Sequence, residues 1–202
     1  TDSHTCTHGA LGAFATGIGN TDAGFVMGTG KLLIKTPPTL RFTLNGIKPR
    51  HIMGKDIILR IIGDIGFDGA TYCAMEFRGE AIEALSVEER MTICNMAIEV
   101  GGKNGIIAPD KKALAYVRER TSKSFVPLDS DPDCKVAHDY VYNIAEFEPC
   151  VAQPHAPDRY ATAQDVKQVK INRAYIGSCT GGKLADFEAA ALVLDGHRVS
   201  VD

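Results

Sequence analysis

KINRAYIGSCTGGKLADFEAAALVL, residues 170–194, is the stretch that decides the fold class. Lys170 to Ile176 is apolar enough to read as a strand, and Gly177 to Gly182 is a turn bracketed by glycines. Leu184 to Leu194 reads as a helix with its stop at Gly196. Strand, small-residue turn and helix in succession are the signature of an α/β fold, which places ligands at such turns.

Working back along the chain, residues 121–157 are irregular, interrupted by Pro127, Pro132, Pro149, Pro154 and Pro157, with one strand expected around Lys135 to Ile144. Asp110 is a candidate N-cap for a helix from Lys111 to Arg120. Ser86-Val87-Glu88-Glu89 is a capping box, in which serine and glutamate satisfy each other's orphan amides. It predicts a helix over Val87–Val100, closed by Gly101-Gly102, and Lys103-Asn104-Gly105 then reads as a turn. Thr71 to Phe77 reads as a strand, and Lys55 to Gly63 carries apolar residues at 57, 58, 61 and 62, the stripe of an amphipathic helix. The alternation Leu40, Phe42, Leu44 predicts a strand that ends at Asn45-Gly46. Gly9 to Gly30 holds seven glycines and predicts short, close-packed helices with Asn20, Thr21 or Asp22 as an N-cap, behind an opening polar loop from Thr1 to Thr7.

These elements predict an α/β protein in which a mixed or parallel sheet carries helices on both faces, a three-layer α/β/α arrangement. The expected organisation is a first α/β subdomain over 1–120, an irregular excursion over 121–165, and the start of a second α/β subdomain over 166–202 that carries the GSCTGG turn. The chain begins without methionine in a polar run and stops at Val201-Asp202 inside an expected strand, so it reads as an internal fragment. Strands left unpaired at sheet edges would invite a homodimer.

With 202 residues, 45% hydrophobic and 23% charged, the chain can bury an ordinary globular core. Its formal net charge of −3 lacks the basic excess of a nucleic-acid binder, so no nucleic-acid partner is expected. No window reaches the run of about 18 apolar residues that a membrane span needs, so the expectation is a soluble protein with no membrane partner. The six cysteines form no C-x-x-C pair and match no zinc spacing, which points to a reducing compartment rather than a disulfide framework.

Three segments could carry chemistry. Asp2-Ser3-His4, with Cys6 and His8 close behind, is either a solvated cap or a site in which aspartate orients histidine for proton transfer. In Gly177-Ser178-Cys179-Thr180-Gly181-Gly182, Cys179 is either a small turn residue or a thiolate favoured by a helix start. Lys183 does not complete a phosphate loop, because Leu184 stands where the hydroxyl residue belongs. Asn95 and Glu99 are four apart and hence on one face of the capped helix, a spacing that more often marks a surface pair than a site. A thiol hydrolase using Cys179 with His4 would need the two to meet in space.

Taken together, DSHTCTHGALGAFATGIGNTDAGFVMGTGK (Asp2 to Lys31), TICNMAIEVGGKNG (Thr92 to Gly105) and YIGSCTGGK (Tyr175 to Lys183) resemble the large subunits of isopropylmalate dehydratases, hydro-lyases of the aconitase family. The resemblance runs through nearly the whole chain, and the fold it implies is that of the aconitase catalytic domains. It implies interconversion of 2-isopropylmalate and 3-isopropylmalate through isopropylmaleate, a step of leucine biosynthesis. The implied cofactor is a [4Fe-4S] cluster held by three cysteines, with Cys179 at the first ligand position and its fourth iron acting as Lewis acid. Asp2, Ser3 and His4 would lie beside substrate and cluster, Asn95 would hold the cluster region, and Glu99 would orient the iron-bound hydroxyl or water. The implied partners are a small subunit, which supplies the serine base, and a small dicarboxylate hydroxy acid. Homoaconitase and dimethylmalate dehydratase large subunits are the neighbouring readings, and a non-catalytic assembly fragment is a further one. The implied location is the cytoplasm, or the plastid stroma for a plant or alga. The family's C-x-x-C pair and its substrate-binding arginines fall past the end of this chain, so the polypeptide alone is expected to hold no intact cluster and to be inactive.

Overall fold

The computed structural model describes residues 2–198. Its centre is a four-stranded parallel sheet of β1 (Thr39–Asn45), β2 (Ala74–Arg78), β3 (Asn104–Ile107) and β4 (His138–Asn143), in the order β3-β2-β1-β4. Helices flank the sheet, so the α/β expectation holds. Chain order runs outward from β1 to β3 and then jumps back beyond β1 to β4. Each parallel step demands a crossover, here through helix α2 (Gly54–Ile65) and then α3 (Glu80–Ala84) with α4 (Val87–Asn95). Helix α1 (Asn20–Thr29) precedes the sheet, α5 (Lys111–Arg118) follows β3, and α6 (Leu184–Leu194) closes the described chain.

The period-two reading of β1 is correct. Leu40, Phe42 and Leu44 are all buried, and register sets Leu40 beside Met75 and Phe42 beside Phe77, whose rings lie 5.4 Å apart. Over them pack Ile57, Ile58, Ile61 and Ile62 of α2, the apolar stripe seen in the sequence, together with Ile93 of α4. Each such side chain contributes about 1.5–3 kcal/mol by leaving water, so this layer dominates stability. On the opposite face of β1 the positions, Thr39, Arg41, Thr43 and Asn45, are polar. Arg41 Nε donates to Glu76 Oε2 at 2.9 Å, and Ser130 Oγ donates to Glu76 Oε1 at 3.0 Å, which ties the irregular excursion to the sheet. A short hairpin, β5 (Cys150–Ala152) with β6 (Tyr160–Thr162), packs against α2, where Gly63 leaves room for Tyr160.

Several local expectations are corrected. Residues 170–176 form no strand: Ile171 and Tyr175 are 73% and 83% exposed, and no neighbouring strand satisfies their backbone groups. The opening polar run is not a loop but a 3-10 helix, Ser3–Leu11. Asn104-Gly105 is not a turn but the start of β3, because pairing with β2 outweighs the local turn preference. The N-cap of α1 is Gly19, without a side-chain cap, rather than Asn20, Thr21 or Asp22. The strand expected at Val201-Asp202 lies outside the described residues.

The capping box at Ser86 and Glu89 and the cap at Asp110 are present as read. The helix they start is shorter than expected: α4 ends at Asn95 and tightens into a 3-10 turn, Met96–Val100, which Gly101 closes in the left-handed region at φ 79°. Close approach brings this turn to the opening 3-10 helix. A Cβ on Gly9 would stand 1.6 Å from the Gly105 carbonyl oxygen, and one on Gly105 would stand 2.8 Å from Cys94 Cα. Only glycine lets the opening helix, β3 and α4 share that space.

Candidate active site

Asp2 is the N-cap of the opening 3-10 helix: its Oδ1 accepts the His4 backbone N–H at 2.8 Å. The same oxygen is 3.3 Å from His4 Nδ1, and His4 Nε2 is 3.4 Å from Glu99 Oε1. The cap reading and the paired reading are therefore both true of Asp2. The backbone amide of His4, ahead of the imidazole itself, holds the Asp2 carboxyl below the usual carboxylate range. An imidazole with a carboxylate at each nitrogen donates from both when protonated, so it can hold a proton and pass it to either side. Ser3 Oγ, 3.4 Å from His4 Nδ1, competes with Asp2 for the same nitrogen. With His4 32% and Glu99 38% exposed, the group opens to solvent and a ligand can reach it.

Glu99 reaches His4 because the chain changes helix type before it. Four residues of 3-10 winding turn a side chain farther round than four residues of α-helix do. Asn95 and Glu99 consequently do not share one face: Glu99 meets His4, while Asn95 points elsewhere. Asn95 is 1% exposed and fully committed. Its Nδ2 donates to Thr7 Oγ1 at 2.8 Å, its Oδ1 accepts from the Cys179 thiol at 3.7 Å, and its carbonyl accepts from Cys6 Sγ at 3.2 Å. Thr7 Oγ1 donates in turn to the His4 carbonyl at 2.7 Å. A continuous hydrogen-bond path thus runs from the Asp2–His4–Glu99 group through Thr7 and Asn95 to Cys179. Sequence reasoning singled out every member except Thr7, which sits one turn beyond His4 and carries no motif of its own.

Cys179 is exposed. Cys6 and Cys94 are buried, and burial pushes the Cys6 thiol up to about 11 and Cys94 upward as well, so both stay protonated. Around the site, Asn104 Nδ2 donates to the Ala15 carbonyl at 2.9 Å and fastens the glycine-rich loop, whose Gly17 lies against Asp2 and Ser3. A cleft of about 390 Å³ opens there, lined by Ser3, Thr16, Gly17, Ile98, Gly102 and Lys103.

A sequence profile of the aconitase family (aconitate hydratase) matches residues 1–167. The chain belongs to the aconitase family. This aconitase-family chain is 58% identical over 203 residues to the chloroplastic 3-isopropylmalate dehydratase large subunit of Arabidopsis thaliana, with all of the chain and 40% of the relative covered. It is 50% identical over 198 residues to the 3-isopropylmalate dehydratase large subunit of Heliobacterium modesticaldum, covering 98% of the chain and 47% of the relative. With 3-isopropylmalate dehydratase large subunit 1 of Methanopyrus kandleri the identity is 46% over 201 residues, covering 100% and 48%. The chain spans half the length or less of these curated relatives.

Members of the aconitase family generally work with an iron–sulfur cluster, and the donor set bears on whether this chain fits one. Clusters are held by thiolates, and Cys179 is an exposed thiol whose sulfur lies 3.7 Å from Asn95 Oδ1. It fits a single ligand position. Among the described residues, no three His, Cys, Asp or Glu side chains converge into a fuller set. No helix among them is long and apolar enough to cross a membrane.

Proposed function

We propose that this chain is the part of an isopropylmalate dehydratase large subunit that carries the proton-handling group and one cluster ligand. The protein would interconvert 2-isopropylmalate and 3-isopropylmalate through isopropylmaleate, by elimination and re-addition of water, within leucine biosynthesis. The observation that carries this reading is the hydrogen-bond path joining Asp2, His4 and Glu99 through Thr7 and Asn95 to an exposed Cys179.

Cys179 would hold one corner of a [4Fe-4S] cluster, which when bound supplies a Lewis acid for a hydroxide that otherwise leaves carbon poorly. Asn95, buried and bonded at both ends of its amide, accepts the Cys179 thiol proton in the iron-free chain. Glu99 accepts a hydrogen bond from the departing hydroxyl or returning water. His4 bridges Glu99 and Asp2 through its two ring nitrogens, and Asp2 keeps its charge because the His4 amide stabilises the carboxylate. Ser3 orients the His4 ring. The substrate is a small dicarboxylate hydroxy acid, and the partner is the small subunit of the heteromer. A plastid or cytoplasmic location, a reducing compartment, suits a chain whose six cysteines are all unpaired.

The test is anaerobic reconstitution with a small subunit, followed by iron and sulfide analysis, visible absorbance and assay on isopropylmalate and homocitrate-type substrates. Turnover of isopropylmalate that depends on the cluster is expected, and the 202-residue chain alone should hold less than one cluster and turn nothing over. Preference for a homocitrate-type substrate would move the reading to homoaconitase. Stoichiometric cluster and turnover by the chain alone would overturn the division of ligands proposed above.

A further inference from the structure

Nothing buried anchors the segment that carries Cys179. No residue from 163 to 198 is buried, and α6 in particular contributes no side chain to the core. Apolar packing therefore does not determine where the Cys179 sulfur sits, and the placement falls to polar contacts with two helices that are themselves part of the core.

Those contacts form a pattern. Lys183 Nζ donates to Thr92 Oγ1 at 2.8 Å and to the Cys179 carbonyl at 3.1 Å. Thr92 Oγ1 donates to the Thr180 carbonyl at 3.4 Å, and Lys55 Nζ donates to Thr180 Oγ1 at 2.7 Å. Thr92 and Asn95 are three apart on α4 and so share a face, one taking the turn by Lys183 and Thr180, the other by Cys179 Sγ. Lys55 reaches the turn from the first turn of α2. Ser178 holds φ 70°, an uncommon backbone for a residue with a Cβ, which persists only where its surroundings impose it.

We infer that Lys183, braced on Thr92 and assisted by Lys55, is a positioning residue that clamps the Cys179 turn to α4 and so aims the sulfur at Asn95. Each lysine spans turn and helix with a single side chain, and an ammonium with three donors can serve two acceptors at once. Hydrogen bonds from a charged donor are about twice as strong as neutral ones, which suits a tether without apolar support. The inference deepens the dehydratase reading, because it says what holds the proposed ligand in place, and it rests on that reading only for the purpose of the clamp.

Hydrogen exchange of the amides of residues 177–182 in the iron-free 202-residue chain, followed by mass spectrometry, tests it. Lys183→Met keeps the aliphatic stem and removes both bonds; exchange there should speed up about tenfold, while β1 and β2 keep their protection. Thr92→Val should give a similar rise, and the double variant less than the sum of the two, because the Lys183–Thr92 bond is lost in both. Lys183→Arg can donate to both acceptors and should restore protection, whereas Lys167→Met, at an exposed position, should change nothing. Unchanged exchange in Lys183→Met, or effects of Lys183→Met and Thr92→Val that simply add, would overturn the clamp. Failure of a full-length large subunit to develop iron–sulfur absorbance with its small subunit, alongside faster exchange in Lys183→Met, would leave the clamp standing and remove the ligand assignment.

Discussion

Arg90 is the largest fully buried side chain in the core, with no exposed surface, and among the described residues its one carboxylate contact is Asp110, whose Oδ2 accepts from Nη2 at 2.6 Å. Asp110 also caps α5 through the Ala113 amide. The guanidinium, foremost among its neighbours, lowers the Asp110 carboxyl to about 2. The folded state therefore favours the ionised form, and the stability this supplies is full above about pH 4 and is lost as pH falls through about 2. Because the carboxylate is 32% exposed, solvent screening reduces the contribution to about 1 kcal/mol. Asp110→Asn keeps a capping oxygen but removes the charge, so urea unfolding should show a loss of at least about 1 kcal/mol at pH 7 and almost none at pH 2. A loss of equal size at both values would mean that the carboxylate's charge is not what Asp110 supplies. The capping function of Asp110 was legible in the sequence, but Arg90 as its partner was not, since the two are brought together only when α4 and α5 pack. The same limit applies at the site: the pairing of Asp2 with His4, two residues apart, was legible, and the contact of Glu99 with His4 was not.

At the scale of elements, the readings that survived are those with a local physical cause. The Ser86–Glu89 box closes on itself within one turn, with Glu89 N donating to Ser86 Oγ at 3.2 Å and Ser86 N donating to Glu89 Oε2 at 3.2 Å. Ser86→Ala should cost about 1 kcal/mol in chemical unfolding, as an N-cap loss does, and Ser86→Thr should cost much less. If the two variants were equal, the hydroxyl would not be the cap. The β1 alternation and the α2 stripe likewise held, because burial on one face leaves its period in the chain. What failed were readings that needed a neighbour. Residues 170–176 are apolar enough for a strand and found none to pair with, whereas Asn104-Gly105 looked like a turn and became a strand beside β2. The α-to-3-10 change after Asn95 had no signal in the sequence, yet it is what separates the directions of Asn95 and Glu99.

Across the whole molecule the core is uneven. Its buried residues come from between Cys6 and Ala161, and the last 36 described residues add none. Removing residues 168–202 should therefore leave the thermal midpoint of the remaining protein within about 4 °C of the intact chain, as measured by circular dichroism. A fall beyond about 10 °C would show that the Cys179 segment carries core stability after all. This arrangement separates two jobs: the sheet and its helices supply rigidity, and a segment held by hydrogen bonds presents the thiol. By itself the sequence determined the α/β class, β1, α2, the caps at Ser86 and Asp110, and the identity of the reactive residues, since all of these rest on side-chain type and on periods of two or 3.6 within a short stretch. Only the tertiary structure decided that Asp2, His4 and Glu99 meet, that Thr7 and Asn95 link them to Cys179, and that Lys183 and Lys55 hold the turn. The contacts of His4 with Glu99, Thr7 with Asn95 and Asn95 with Cys179 join residues more than 80 positions apart, and their distances are set by how the opening helix, α4 and the final turn stack, through close approaches at Gly9, Gly17 and Gly105 that no local pattern records.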